Sequence, residues 1–146
     1  MSARCVVDAG VAVKLFVAEP LSDEAHALFE LLSAGEAAAF YVPDAFYYEV
    51  AATLRKYAIA AGYPHLKNDV AKLFGLNVIS LPAVDLLIDA VEISTDHVLS
   101  TYDALYLALS VRVAAPLITA DDWLLRAVHG KPFVVRSLAT VDPLDL

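Results

Sequence analysis

Four of the eighteen acidic side chains resist explanation as solvated surface: Asp8, Glu49, Asp103 and Asp121. Asp8 ends a short apolar run and Asp121 closely follows another, so in a parallel sheet both would lie at the carboxyl edge where ligands bind. Glu49 and Thr53 fall inside the i, i+3, i+4, i+7 series of Phe46, Val50, Leu54 and Tyr57, the stripe that should meet the core. Burying an unpaired charge there costs on the order of several kcal/mol, so a cation or strong donors are expected nearby. Asp103 opens a segment, Ala104 to Val113, that has almost no polar side. Each has an ordinary alternative: a salt bridge to an arginine for Glu49, and helix capping for Asp8, Asp103 and Asp121.

Together the four are harder to dismiss. They stand 41, 54 and 18 residues apart, so only the fold could bring them into one pocket, and like charges do not gather without a counter-ion. A set of oxygen ligands alone points to a hard cation, Mg²⁺ or Mn²⁺. Such an ion lowers the pKa of a bound water, generates hydroxide near neutral pH and stabilises charge building on phosphate oxygens during in-line attack. No histidine base is needed: His26, His65, His97 and His129 are scattered without metal or triad spacing.

The elements that must position these acids are legible as alternating apolar runs and helical patterns. Arg4–Val7, Ala39–Val42, Asn77–Leu81, Leu117–Thr119 and Phe133–Arg136 read as strands separated by helical segments. That order predicts an α/β fold of three layers, a parallel sheet of about five strands with helices on both faces. Ser22, with Asp23 and Glu24, is expected to begin a helix that stops before Gly35. Asp44 is expected to cap a helix running to Ala61 and stopped by Gly62, and Pro64 and Gly75 bracket a shorter one. Pro82 opens another through Ser94, with Val84, Leu87, Ile88 and Val91 as its apolar stripe and Asp85, Asp89 and Glu92 as its wet face. Asp103 to Val113 reads as a helix buried on nearly every side.

At 146 residues the chain suits one domain, 1–146, with no repeat, linker or low-complexity segment. Sixty per cent of its residues are apolar and the mean hydropathy is +0.63, which excludes disorder and suggests apolar surface covered in a dimer or tight complex. Ala104 to Ile118, the longest apolar segment, contains Arg112 and Pro116 and is shorter than the roughly 20 residues of a membrane span. Asp8 and Lys14 come too early for a signal peptide, and the single Cys5 cannot form an internal disulfide, so a cytoplasmic location is expected. A net charge of −8 argues against a general nucleic-acid coating protein. It does not exclude an enzyme whose bound cations reverse the field where a phosphate sits.

The segments carrying the acids resemble a known family. Val6-Val7-Asp8-Ala9-Gly10-Val11, Tyr48-Glu49-Val50-Ala51, Tyr102-Asp103-Ala104-Leu105-Tyr106-Leu107-Ala108-Leu109 and Leu117-Ile118-Thr119-Ala120-Asp121 are similar, in order and spacing, to the motifs of PIN domains. The likeness is greatest to VapC toxins of prokaryotic toxin–antitoxin modules and extends over essentially the whole chain. It implies a metal-dependent endoribonuclease with Asp8, Glu49, Asp103 and Asp121 as ligands of Mg²⁺ or Mn²⁺, and Thr119 as the hydroxyl residue of the last motif. It also implies an RNA substrate, a cognate VapB-like antitoxin lying over the site, and a homodimer. Gly10 stands where many members of the family carry Ser or Asn, and Asp122 is a neighbour of Asp121 that could take its place.

Lys14, Arg55, Lys56, Arg112 and Arg126 fall in segments next to the acids and are candidates for phosphate contact. Two rivals are an inactive PIN fold used as a binding or scaffold module, and a phosphoacceptor receiver domain. The second expects paired acids after the first strand and a lysine following a late strand. Asp8 stands alone there and Lys131 precedes its strand.

Overall fold

The computed structural model describes residues 3–34 and 37–146. Five strands form one parallel sheet in the order β3–β2–β1–β4–β5, with β1 (Ala3–Val7), β2 (Ala38–Pro43), β3 (Ile79–Leu81), β4 (Leu117–Thr119) and β5 (Val135–Ser137). Among the described residues seven α-helices flank it: α1 (Ala9–Val13), α2 (Ser22–Ser33), α3 (Ala45–Ala61), α4 (Leu66–Leu73), α5 (Ala83–His97), α6 (Thr101–Val113) and α7 (Asp122–Ala127). This is the three-layer α/β arrangement expected from the alternation of runs. Cys5, Val6 and Val7 of β1, Phe40 and Val42 of β2, and Leu117 and Ile118 of β4 are buried whichever way they point, as a sheet covered on both faces requires.

The chain builds outward from β1 to β2 and β3, returns through α5 and α6, and resumes on the other side of β1 with β4 and β5. Strand order therefore reverses between β1 and β4, where an open parallel sheet leaves a crevice at its carboxyl edge. The β1–β4 ladder pairs Val6 with Leu117 and Val7 with Ile118, and the Asp8 amide donates to the Ile118 carbonyl at 3.1 Å. That bond carries the register one residue past β1.

Helix α6 lies against β1, β2 and β4, and α5 covers α6. Ala104 through Ser110 are buried without interruption, so the expectation of an inward helix holds. The helix starts earlier than expected, however: Ser100 is its N-cap, accepting from the Asp103 amide at 3.1 Å, and Asp103 sits in the first turn. Asp103 is thus not the cap.

Helix α2 begins at Ser22 as expected, with Leu21 at φ 70° in the N-cap position and the Ser22 hydroxyl bonded to the Glu19 amide and Val17 carbonyl; Gly35 lies outside the described residues. Asp44 makes no side-chain bond to α3 but accepts from the Ala83 amide at 2.8 Å, holding the start of α5. β5 begins two residues late, because Phe133 bonds back to the Lys131 carbonyl in the turn around Pro132. Gly62 does stop α3, at φ 67° with its amide on the Ala58 carbonyl.

The largest correction concerns α5. Leu86 and Ala90 are its buried residues, while Val84, Leu87, Ile88 and Val91 are exposed, Ile88 by 85%. Two stripes of helical period coexist on α5, and the one with the compact Ala90 allows close approach to α6. The bulkier stripe faces outward.

Candidate active site

Each acid is delivered by a different element. Asp8 follows the last residue of β1, Glu49 lies on the second turn of α3, Asp103 in the first turn of α6, and Asp121 between β4 and α7. Asp8 occupies the N-cap position of α1, a short helix that the sequence reading passed over, but its side chain makes no cap bond. Its Oδ2 instead accepts from the hydroxyl of fully buried Thr119 at 2.7 Å. The same Thr119 oxygen accepts from the Asp121 amide at 3.1 Å. One hydroxyl therefore joins the turn after β4 to the carboxylate after β1.

Asp121 caps α7, its Oδ1 accepting from the Trp123 amide at 2.9 Å and the Leu124 amide at 3.2 Å. Capping uses one oxygen, so the cap and a second role are compatible. Glu49 is half-buried beside Phe46, Val50 and Leu54, and its Oε1 accepts from the Tyr106 hydroxyl at 3.1 Å. Among the described residues none of the four acids forms a salt bridge, which leaves the arginine alternative for Glu49 without support. Tyr106 was missed from sequence. The signal available was its place at i+3 from Asp103, as the one hydroxyl-bearing aromatic in an otherwise aliphatic buried stretch.

The electrostatics show that the four acids share a field. Burial raises the Asp8 pKa from its ordinary 3.8 to about 6; Thr119 works against this, and the charges of Asp103 and Asp121 add to it. Glu49 is pushed up to about 7, chiefly by burial, with the Tyr106 hydroxyl opposing and Asp8 and Asp103 adding repulsion. Asp103 is raised by burial and by Asp121, against the Ser100 hydroxyl. Asp121, rather than Asp122, is thus the acid whose charge reaches Asp8 and Asp103. The acids converge without closing into a shell: among the described residues no three His, Cys, Asp or Glu side chains stand at metal-binding separation.

A family model described as PIN domain matches residues 5–130. The chain belongs to the PIN-domain family. Its fold is shared by solved structures of low sequence identity. A toxin–antitoxin complex from Klebsiella pneumoniae aligns with TM-score 0.61 and 19% identity over 95% of this chain and 97% of the other. VapBC2 from Rickettsia felis, bound to a DNA fragment from its promoter, gives 0.65 and 14% over 92% and 98%. PAE2754 from Pyrobaculum aerophilum gives 0.66 and 17% over 95% and 93%. No curated protein sequence matches significantly.

In this PIN domain the basic residues divide. Lys14 is an unsuitable phosphate ligand, since its ammonium pairs with Glu19 at 3.3 Å and its side chain is only 12% exposed. Tyr57 bonds the other Glu19 oxygen, so this ion pair ties α3 to the segment after α1. Arg112 pairs with Asp89 at 3.4 Å on the α5–α6 surface. Arg55, Lys56 and Arg126 are exposed and, among the described residues, free of ion pairs. The four acids offer only oxygen donors, the kind that a hard divalent cation takes. Among the described residues no helix is long and apolar enough to cross a membrane.

Proposed function

We propose that this PIN domain is the ribonuclease toxin of a type II toxin–antitoxin module, hydrolysing RNA phosphodiesters in the cytoplasm with Mg²⁺ or Mn²⁺ held by Asp8, Glu49, Asp103 and Asp121. The observation that carries this reading is that Asp8, Glu49, Asp103 and Asp121, delivered by four elements around the β1–β4 switch, act on one another's charge, with no cationic side chain paired to any of them among the described residues. Burial and repulsion of that kind are tolerated where a ligand is to relieve them.

The protein's own groups fix orientation. Thr119 holds one oxygen of Asp8, Tyr106 one oxygen of Glu49, and the α7 amides one oxygen of Asp121, so each carboxylate is aimed by a donor outside the cluster. Asp103 is set by the Ser100 cap of its helix. When bound, the cation supplies an activated water and neutralises charge developing on the phosphate. Arg55, Lys56 and Arg126 are the exposed cations that could steer the RNA backbone.

Partners follow from the same reading. The structural neighbours that are toxin–antitoxin complexes support a VapB-like antitoxin, and the exposed α5 stripe of Val84, Leu87, Ile88 and Val91 supports a homodimer. A Mn²⁺ titration of RNA cleavage, repeated with Asp8→Asn, tests the activity. Cleavage that requires the metal and collapses in the variant is expected. Cleavage undiminished in Asp8→Asn, or none by the wild-type chain, would overturn it and leave the scaffold reading.

A further inference from the structure

Next to the acid cluster the surface opens into a cavity of about 570 Å³, bordered by Ala45, Tyr48, Glu49, Ala52 and Tyr102. Its volume is within the range of about 300–1,000 Å³ common to small-ligand pockets. Two large aromatic side chains flank it, and both are held out to solvent: Tyr48 is 80% exposed and Tyr102 63%. Each immediately precedes an acid of the cluster, Tyr48 before Glu49 on α3 and Tyr102 before Asp103 at the start of α6. Ala45 and Ala52, one turn either side of Tyr48 and Glu49 on α3, leave the space between the rings open.

We infer that Tyr48 and Tyr102 form a base-stacking subsite that receives an unpaired nucleobase beside the cleaved phosphodiester. The inference rests on the ribonuclease reading of the acids and assigns residues that the reading itself does not use. Three observations favour this occupant. Glu49 is both one of the acids and part of the cavity wall, so a nucleotide whose phosphate sits at the acids lies beside the cavity. The lining carries no lysine or arginine, so it is built for a neutral π-face and not for a second phosphate. Aromatic side chains that stack unpaired bases are the usual means by which single-stranded RNA is held without reading every hydrogen bond. A core role is excluded by exposure, since neither ring fills the interior.

Tyr48 and Tyr102 are positioning residues here, so the test separates binding from chemistry. Steady-state cleavage of a short single-stranded oligoribonucleotide in Mn²⁺ is measured with the full chain and with Tyr48→Ala, Tyr102→Ala and the corresponding Phe variants. Each Ala variant is expected to raise KM roughly 5- to 100-fold, the effect of losing one base–aromatic stack, with most of the loss in KM and with KM restored by Phe. A substrate lacking the base next to the cleaved bond should lose as much with wild-type protein and little further with the Ala variants. An unchanged KM in the Ala variants, or losses that simply multiply with removal of the base, would overturn the inference. So would Ala variants that lose binding of an antitoxin while keeping RNA KM, because the tyrosines would then serve the protein partner. If the wild-type chain cleaves no RNA, the ribonuclease reading fails by itself. Binding of an oligoribonucleotide carrying 2-aminopurine still decides the subsite: quenching lost in the Ala variants upholds it, and no quenching with wild type overturns it.

Discussion

Thr119 and Tyr106 show how individual residues hold acids that repel one another. Thr119→Val keeps the shape but removes the donor to Asp8 and the acceptor for the Asp121 amide, so metal affinity and activity should fall roughly 10- to 100-fold with the fold retained. Cleavage rates and Mn²⁺ titrations, with circular dichroism as the fold control, check this. Tyr106→Phe removes the hydroxyl that lowers the Glu49 pKa, so Glu49 should hold its proton to higher pH than its present value of about 7. The acidic limb of the pH–rate profile should move toward alkaline pH; an unmoved limb would separate Tyr106 from the site. Thr119 was assignable from its motif alone, whereas Tyr106 was not, because a buried tyrosine in an apolar helix reads as core until its hydroxyl is seen to meet a carboxylate. Lys14 failed in the opposite sense. Nearness in sequence to Asp8 gave no sign that Glu19, five residues on, would neutralise it.

At the scale of elements, the strands and their parallel direction were readable because a sheet buried on both faces leaves continuous apolar runs, and the crossover pattern leaves only a parallel arrangement; their order in the sheet came from the structure. Helix ends were less so, since Ser and Asp near a boundary offer several equivalent caps. Asp103 and Ser100 are three residues apart and either could begin α6; the structure uses Ser100 as the cap and leaves the Asp103 carboxylate for the crevice. Ser100→Ala should therefore destabilise the protein by ~1 kcal/mol, measured by denaturant unfolding, and also weaken Mn²⁺ binding by loosening Asp103. Loss of stability with unchanged metal affinity would show that the cap does not position the acid. On α5 the sequence contains two apolar stripes of equal periodicity, and periodicity cannot say which one meets α6. The choice depends on the closeness of α6, a tertiary quantity set by Ala90.

For the whole molecule, a net charge of −8 and an apolar stripe left on the surface predict opposite tendencies, solubility through repulsion and association through α5. Placing a charge in that stripe, Leu87→Glu with Ile88→Glu, should convert a dimer to a monomer in analytical ultracentrifugation with no loss of thermal stability of the subunit; a wild-type monomer would remove α5 as the interface. The acid cluster also shapes stability against pH. In the metal-free protein Asp8 binds its proton more tightly folded than unfolded, so its contribution is complete below about pH 4 and is lost as pH rises through about 6, on the order of 3 kcal/mol. Tm in a chelator should fall across that interval, and fall less in Asp8→Asn. The most direct test of a shared metal site is calorimetric titration of the purified chain with Mn²⁺ at pH 7.5, alongside Asp8→Asn, Glu49→Gln, Asp103→Asn and Asp121→Asn. Binding to the wild type with proton release, weakened at least tenfold by each substitution, is the predicted result. Equal binding by wild type and all four variants would contradict it.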